Sequence, residues 1–117
     1  MMKLSEVKQV INAQVSAGGD FLDREVNSAC GSDLISDVLA FVKDQALLLT
    51  GLVNGQVIRT AEMMDIKAIV FVRGKKPSED VIELANEYKM VIMTTDLPLY
   101  PACGKLYCAG LRGKENS

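Results

Sequence analysis

The sequence predicts an α/β domain of three layers, with a mostly parallel sheet of about four to five strands flanked by helices. The length of 117 residues suits one domain with a real core. Apolar residues make up 49% of the chain and charged residues 24%, as in ordinary globular proteins. From Val26 onward, short apolar runs alternate with segments whose apolar residues recur at helical spacing. This alternation requires crossover connections, which join parallel strands.

The first elements precede the main alternation. Leu4–Ala13 places its apolar residues on one helical stripe and is predicted to be a helix. Val15 then begins a short strand, which we expect at the edge of the sheet. Gly18-Gly19-Asp20 is typical of a turn.

Four apolar runs predict the parallel strands. These runs are Val26–Cys30, Leu47–Thr50, Ala68–Val72 and Val91–Thr94. Strands that are covered on both faces carry continuous apolar residues instead of an alternating pattern. Ala68–Val72 gives the clearest signal because it is rich in β-branched residues.

Helices are predicted between these strands. Asp33–Lys43 is expected to be a helix that buries Leu34. Ser78 is expected to cap the helix before the last strand. Thr95-Asp96 is expected to cap the final helix, with Pro98 in its first turn.

The segment after Leu47–Thr50 has two interpretations. Apolar residues at helical spacing favour a helix over Asn54–Met64. Asn54-Gly55 is also a common hairpin turn, which would pair Gln56–Ile58 antiparallel with Leu47–Thr50. The helix is the favoured interpretation, and antiparallel pairing would contradict it.

Charge and cysteine content restrict the function classes. The net charge is −2 and the isoelectric point about 5.1, so the basic excess of a nucleic-acid-binding domain is missing. No apolar run reaches the roughly 18 residues of a membrane span. Three cysteines at unrelated spacings are not a disulfide framework and favour a reducing compartment. We therefore predict a cytoplasmic protein that binds neither nucleic acid nor membrane.

The sequence predicts no catalytic residue, metal or cofactor. It contains no histidine, the commonest general base and zinc ligand near neutral pH. Cys103 and Cys108 lie five residues apart, a spacing that does not converge on one metal from a helix. A P-loop is missing as well, since Gln56 stands where the second glycine after Gly51 would be needed.

Small polar residues follow all four parallel strands. In open parallel sheets, ligands bind beyond the carboxyl ends of the strands, at a switch in strand order. The predicted ligand-binding residues are Ser32, Asp33, Ser36, Asp37, Thr50, Asn54, Arg73, Gly74, Lys75, Thr94, Thr95 and Asp96. The same residue types also cap helices, and the sequence leaves this alternative open.

Two subsets of these residues suggest specific chemistry. Arg73-Gly74-Lys75-Lys76 before a helix start offers N–H groups and positive charge to a phosphate. A solvated basic loop is the alternative. Asp33 and Asp37 lie four residues apart on one helical face, where paired carboxylates could hold Mg²⁺ or exchange protons. A small enzyme that uses these carboxylates is the weakest functional reading.

Two segments carry a family resemblance. Ser32–Ala40 and Gly104–Leu111 resemble stand-alone DRTGG-domain proteins, and the spacing of the elements between them is also similar. Such domains resemble the amino-terminal domain of bacterial HPr kinase/phosphorylase, and they also occur beside CBS domains and in phosphotransacetylases. The resemblance implies that fold and a regulatory, non-catalytic role. The sequence departs from the family pattern at Val72-Arg73-Gly74, where one glycine replaces two, and the Asp-Arg pair is not evident around Thr50–Leu52.

Two functions follow from these observations. The first is a regulatory or sensor module that binds a small polar ligand, such as a nucleotide, at the carboxyl ends of the strands. The alternative is a ligand-free interaction module that dimerises and docks onto a partner enzyme. A homodimer is predicted because the mean hydropathy is +0.16 and apolar residues surround the final helix and Met63-Met64. Residues 1–111 are predicted to form one domain, and 112–117 a polar, disordered tail.

Overall fold

A computed structural model describes residues 1–34, 36 and 46–112 of the chain. Its strands and helices are, in chain order, β1 (Met2–Lys3), α1 (Leu4–Val10), β2 (Gln14–Ala17), β3 (Glu25–Val26), β4 (Ser28–Gly31), β5 (Ala46–Thr50), α2 (Gly55–Met63), β6 (Ala68–Phe71), α3 (Glu79–Glu87), β7 (Val91–Thr94) and α4 (Leu99–Cys108). A 3₁₀ turn covers Gly19–Phe21. No helix in this part of the chain combines the length and the apolar character that crossing a membrane requires.

The main sheet has five strands in the order β2-β7-β6-β5-β4. The pairs β4–β5, β5–β6 and β6–β7 are parallel, and β2 runs antiparallel to β7 at the edge. An irregularity between Val15 and Ala17 shifts the register of this edge pair. The predicted fold class is confirmed, and so is the edge position of the strand that begins near Val15.

Helices cover both faces of the sheet. The side chains of β5, β6 and β7 alternate between two apolar layers, as the period of a strand requires. The α1–α4 layer joins those two helices to the face that carries Leu49 and Val70. The α2–α3 layer joins the other two to the face that carries Phe71 and Ile92. The two central helices share a face because the connections advance across the sheet in one direction with one handedness.

The four helices that the structure describes end in the same way. Each is followed by a residue with positive φ, and the next residue donates its N–H to a carbonyl five positions earlier. This is the Schellman motif, which pairs carbonyls that a helix end leaves open. The residues with positive φ are Asn12, Asp65, Lys89 and Gly110.

The predicted strand Val26–Cys30 is wrong, because two short strands occupy this segment. Val26 belongs to β3, which pairs antiparallel with β1 in a separate two-stranded sheet, opposite Met2. Ser28–Gly31 forms β4 and pairs parallel with β5. The chain changes its pairing partner at Asn27. The prediction failed because an apolar pattern indicates that residues are buried but not which strand they pair with.

The hairpin alternative after β5 is excluded, and the predicted helix is confirmed. Both neighbours of β5 are parallel strands. Asn54 caps α2, since its side-chain oxygen accepts a hydrogen bond from the N–H of Val57 at 3.0 Å. Ser78 caps α3 as predicted and accepts a bond from the N–H of Val81 at 3.4 Å.

Two predictions at helix starts are wrong. Leu34 was expected in the core, but it is 51% exposed, because Ser32 folds a turn against its backbone N–H and carbonyl. Except for Ser36, the rest of the helix predicted over Asp33–Lys43 lies outside the described residues. Thr95-Asp96 does not cap α4. The capping position is Pro98, which is extended and therefore precedes the first turn.

Candidate functional site

The carboxyl ends of β4, β5, β6 and β7 lie along one edge of the sheet, because these strands are parallel neighbours. The predicted site residues that the structure describes follow these strand ends. They fall into three groups. The first forms a cluster around Asp33, the second takes part in helix caps and turns, and the third lines an open crevice. Ser36 is exposed, and Asp37 lies outside the described residues.

The Asp33 cluster consists of Asp33, Thr50, Gly51, Arg73 and Lys75. One carboxylate oxygen of Asp33 accepts hydrogen bonds from the Gly51 N–H at 2.6 Å and the Thr50 hydroxyl at 3.3 Å. The other lies 3.6 Å from the Arg73 guanidinium. Lys75 donates its ammonium to the Gly51 carbonyl at 2.9 Å. The polar groups of this cluster therefore contact one another.

Gly51 makes room for this arrangement. A Cβ atom on Gly51 would collide with the guanidinium of Arg73 and approach the Asp33 carboxylate to 3.3 Å. The position is buried, so the arginine packs directly over bare backbone. The cluster thereby ties the ends of β4, β5 and β6 together.

The turn after β6 does not offer its N–H groups to a phosphate. Arg73 and Gly74 have φ values of 61° and 67°, a tight left-handed pair. Their N–H groups donate to the carbonyls of Leu97 at 2.8 Å and Thr95 at 2.9 Å, and that of Lys75 donates back to Val72 at 3.3 Å. The N–H groups of Arg73, Gly74 and Lys75 are therefore engaged within the protein, and phosphate binding by this basic loop stays a prediction.

Three further predicted residues act in caps and turns. Asn54 caps α2, and Ser32 closes a local turn. The buried Thr95 donates its hydroxyl to the Ile11 carbonyl at 2.8 Å and accepts the Leu97 N–H at 3.3 Å. The capping alternative that the sequence left open accounts for these residues.

An open polar crevice, the strand-end crevice, lies at the carboxyl ends of β6 and β7. Its volume is about 370 Å³. The lining residues are Lys8, Asn12, Ala13, Gln14, Gly74, Lys76, Thr94 and Asp96. Three of these, Gly74, Thr94 and Asp96, were predicted as site residues.

The position of the crevice follows from the connections. The chain leaves β6 toward α3, which packs in one apolar layer, and leaves β7 toward α4, which packs in the other. The two connections diverge, and the amino end of the antiparallel β2 closes the gap between them. We expected a ligand site at a switch in strand order, but the parallel strands advance in one direction. The divergence of the connections after β6 and β7 takes the place of that switch.

Charge in the crevice comes from two lysines and one aspartate. An added Cβ on Gly74 would lie 3.2 Å from a carboxylate oxygen of Asp96, so this carboxylate sits over bare backbone. None of Lys8, Lys76 and Asp96 forms an ion pair within 4 Å with any described residue. These charges differ in this respect from those of the Asp33 cluster.

Four lining residues were missed from the sequence: Lys8, Asn12, Ala13 and Gln14. Lys76 was named as part of the basic loop that begins at Arg73, but it was not among the predicted ligand-binding residues. A signal for Gln14 existed, because an edge strand that runs antiparallel brings its amino end to the carboxyl ends of its neighbours. Lys8 follows from the packing of α1, which the sequence did not position.

Two kinds of reactive group, a thiolate and a set of metal ligands, can be checked among the described residues. Burial raises the pKa of the Cys103 thiol, and the neighbouring Cys30 raises it further, so the thiol stays protonated at neutral pH. In the described ranges, no three His, Cys, Asp or Glu side chains come together in a way that could hold a metal ion.

Comparisons with known proteins agree with this architecture. No curated protein matches the sequence. A solved structure of the CBS and DRTGG domains of the regulatory region of Clostridium perfringens pyrophosphatase, complexed with its activator diadenosine tetraphosphate, is similar with a TM-score of 0.70. The identity is 14%, and the similarity covers 89% of this chain and 45% of that one, so this chain spans less than half of it. At this identity the likeness concerns the fold alone. A family model for the DRTGG domain matches residues 6–105, which is most of the sequence and includes the strand-end crevice, and the chain therefore belongs to the DRTGG domain family.

Proposed function

We propose that this DRTGG domain is a non-catalytic regulatory module that binds a small polar ligand in the strand-end crevice. The observation that supports this proposal is a crevice of about 370 Å³ whose charged side chains pair with no described residue. The volume falls within the range of roughly 300–1,000 Å³ that is usual for small-molecule sites. Nucleotides are the first ligand class to test, because the similar regulatory region was solved with a dinucleotide activator.

The Asp33 cluster is a less suitable ligand site than the crevice. Its carboxylate, guanidinium and ammonium groups already have partners, and a ligand there would have to displace them. A ligand in the crevice displaces water from Lys8, Lys76 and Asp96 instead. In this proposal Arg73 and Lys75 shape the edge of the sheet and are not ligand contacts.

A thermal shift screen with nucleotides and phosphorylated metabolites tests the proposal. A ligand at about 100 times its dissociation constant should add roughly 2.7 kcal/mol to the free energy of unfolding. Asp96→Asn should weaken the binding of any such ligand that carries hydrogen-bond donors. Asp65→Asn is the matched control, because Asp65 lies at the opposite end of the sheet and Asn tolerates its φ of 58°.

Amide chemical shifts locate the ligand independently. We expect the largest changes at Asn12–Gln14 and Gly74. A stabilising ligand that leaves these amides unchanged and binds Asp96→Asn as tightly as the parent would place the site elsewhere.

Self-association through α4 is a second candidate function, supported by an exposed apolar groove. The groove measures about 430 Å³ and is lined by Tyr100, Pro101, Gly104, Lys105, Tyr107 and Cys108. Tyr100 is 88% exposed and Tyr107 45% exposed. Gly104 lies between these tyrosines, and an added Cβ there would meet nothing within 4 Å. Packing within the chain thus gives no reason for a glycine that costs the helix about 0.5–1 kcal/mol relative to Ala.

A second copy of the chain suits this groove. Gly104 lets another backbone approach closely, and a tyrosine on either side makes the surface complementary to itself around a two-fold axis. Gly104→Gln should raise helix stability while weakening the dimer at least about tenfold, measured by sedimentation at micromolar concentration. A single species near 12.7 kDa for the unmodified protein would contradict the dimer.

A further inference from the structure

We propose that the strand-end crevice selects a phosphorylated ligand, whose phosphate lies between Lys8 and Lys76 while Asp96 accepts hydrogen bonds from amino or hydroxyl groups. This inference rests on the proposed function and names the ligand class. No backbone phosphate loop contributes to it. The recognition comes from two lysines that approach the crevice from different elements.

The basic side chains at this edge of the sheet fall into two groups, engaged and unpaired. Arg73 and Lys75 are engaged, one with the Asp33 carboxylate and the other with the Gly51 carbonyl. Lys8 and Lys76 line the crevice and have no carboxylate within 4 Å among the described residues. An anion that enters the crevice can therefore approach two ammonium groups that are not paired with any described carboxylate within 4 Å.

The two lysines line the crevice from different elements. Lys8 extends from the last turn of α1, and Lys76 from the loop that precedes α3. A ligand that enters the crevice can therefore contact side chains from both elements. Charge-assisted hydrogen bonds from two directions favour a group with several acceptor oxygens, as a phosphate has.

The end of α1 does not oppose an anion as strongly as an open helix end would. Unpaired carbonyls at a helix carboxyl end carry partial negative charge. Here the Lys8 carbonyl accepts the Ala13 N–H at 2.9 Å, and the Gln9 carbonyl accepts the Asn12 N–H at 3.3 Å. The Schellman motif thereby pairs the carbonyls nearest the crevice, while the Lys8 ammonium remains available.

Asp96 defines the other end of the ligand. Its carboxylate lies over Gly74 and more than 4 Å from either lysine ammonium, since no ion pair joins them. A phosphate beside this carboxylate would be repelled, but a hydroxyl or amino group would be bound. The crevice therefore suits a molecule with a phosphate at one end and hydrogen-bond donors at the other, such as a nucleoside monophosphate or a sugar phosphate.

Isothermal titration of the full chain with AMP, inorganic phosphate and adenosine tests this assignment. Lys8→Gln and Lys76→Gln should each weaken AMP binding about tenfold or more, the equivalent of at least 1.4 kcal/mol. Both should also weaken phosphate binding and leave adenosine unaffected. Asp96→Asn should weaken adenosine binding and spare phosphate. Lys67→Gln, at the amino end of β6, makes the same change of charge at the opposite end of the sheet and should bind AMP like the parent.

Amide chemical shifts at Asn12–Gln14 confirm that each probe occupies the crevice. Two results would overturn the ligand class while leaving the proposed function intact. One is adenosine binding in the crevice as tightly as AMP with both lysine variants unchanged. The other is a nucleoside or other neutral ligand binding there when phosphate and AMP at about 10 mM, well above a millimolar dissociation constant, produce no shift. If no ligand of any class shifts these amides, both proposals fail together.

Discussion

Gly18→Ala is expected to destabilise the domain by about 2–5 kcal/mol, the sum of a backbone term and a packing term. Gly18 has a φ of +77°, a conformation that costs an L side chain roughly 1–2 kcal/mol. A Cβ there would also collide with the carbonyl oxygen of Met90 and lie 2.8 Å from the Cα of Val91. These are backbone atoms at the start of β7, which pairs with a strand on each side and cannot move aside cheaply. Urea unfolding followed by circular dichroism measures the change.

Gly19→Ala is the matched control for this prediction. The nearest atom to a Cβ on Gly19 is a methyl carbon of Val15 at 4.0 Å, an ordinary contact. Its free energy of unfolding should stay within about 0.5 kcal/mol of the parent, as for most surface substitutions. Equal stability of the two variants would show that the chain does not pass this closely over β7.

Thr95→Val is expected to cost about 2–4 kcal/mol, because it removes the hydroxyl that pairs with the buried Ile11 carbonyl and the partly buried Leu97 N–H. Thr95 is 3% exposed, and its hydroxyl joins the Ile11 carbonyl to the Leu97 N–H. Valine keeps the shape of the side chain but cannot form either bond. The hydroxyl also anchors the chain next to Asp96, so the variant should bind a crevice ligand more weakly as well as unfold more easily.

Thr60→Val is the control for Thr95→Val, because it makes the same change of polarity without removing a comparable pair of hydrogen bonds. Thr60 is 8% exposed in α2, and its hydroxyl forms no side-chain hydrogen bond to another described residue. This variant should change the free energy of unfolding by less than about 1 kcal/mol, because the substitution keeps the shape of the side chain and removes no hydrogen-bond partner among the described residues. If both variants unfold at the same urea concentration, the link between Ile11 and Leu97 contributes nothing measurable.

The sequence predicted the central sheet well because its signals are local. The runs that became β5, β6 and β7 are short, continuous and apolar, which is typical of strands covered on both faces. The helix over α2 was predicted from spacing, and its cap at Asn54 is a short-range hydrogen bond. Interactions between residues that are close in the chain can be predicted from the sequence alone.

Features that depend on distant partners were not predictable in this way. Val26 carries the same apolar signal whether it pairs with Leu47 or with Met2, so the split into β3 and β4 was missed. Thr95 has the composition of a cap, yet its hydroxyl partner is Ile11, more than eighty positions away. Such choices are made by tertiary packing.

The candidate site was predicted in part for the same reason. Gly74, Thr94 and Asp96 follow strand ends and were found by that rule. Lys8 lies at the crevice because α1 packs on the sheet face that carries Val91 and Met93. Lys76 lines the crevice, whereas the side chains of Arg73 and Lys75 contact Asp33 and Gly51. The division into an engaged cluster and an open crevice depends on distances of a few ångströms, which spacing in the sequence does not encode.

The α1–α4 layer has a consequence for the order of folding. Its apolar contacts join Leu4 and Val7 to Ala102 and Leu106, near opposite ends of the described chain. Apart from Ala17, the buried residues of the α2–α3 layer belong to successive strands and helices between Ala46 and Ile92. Contacts that are close in sequence form at a smaller cost in chain entropy than distant ones. We therefore expect the α2–α3 face of the sheet to be covered early and the other face last, when two helices from remote parts of the chain meet on it.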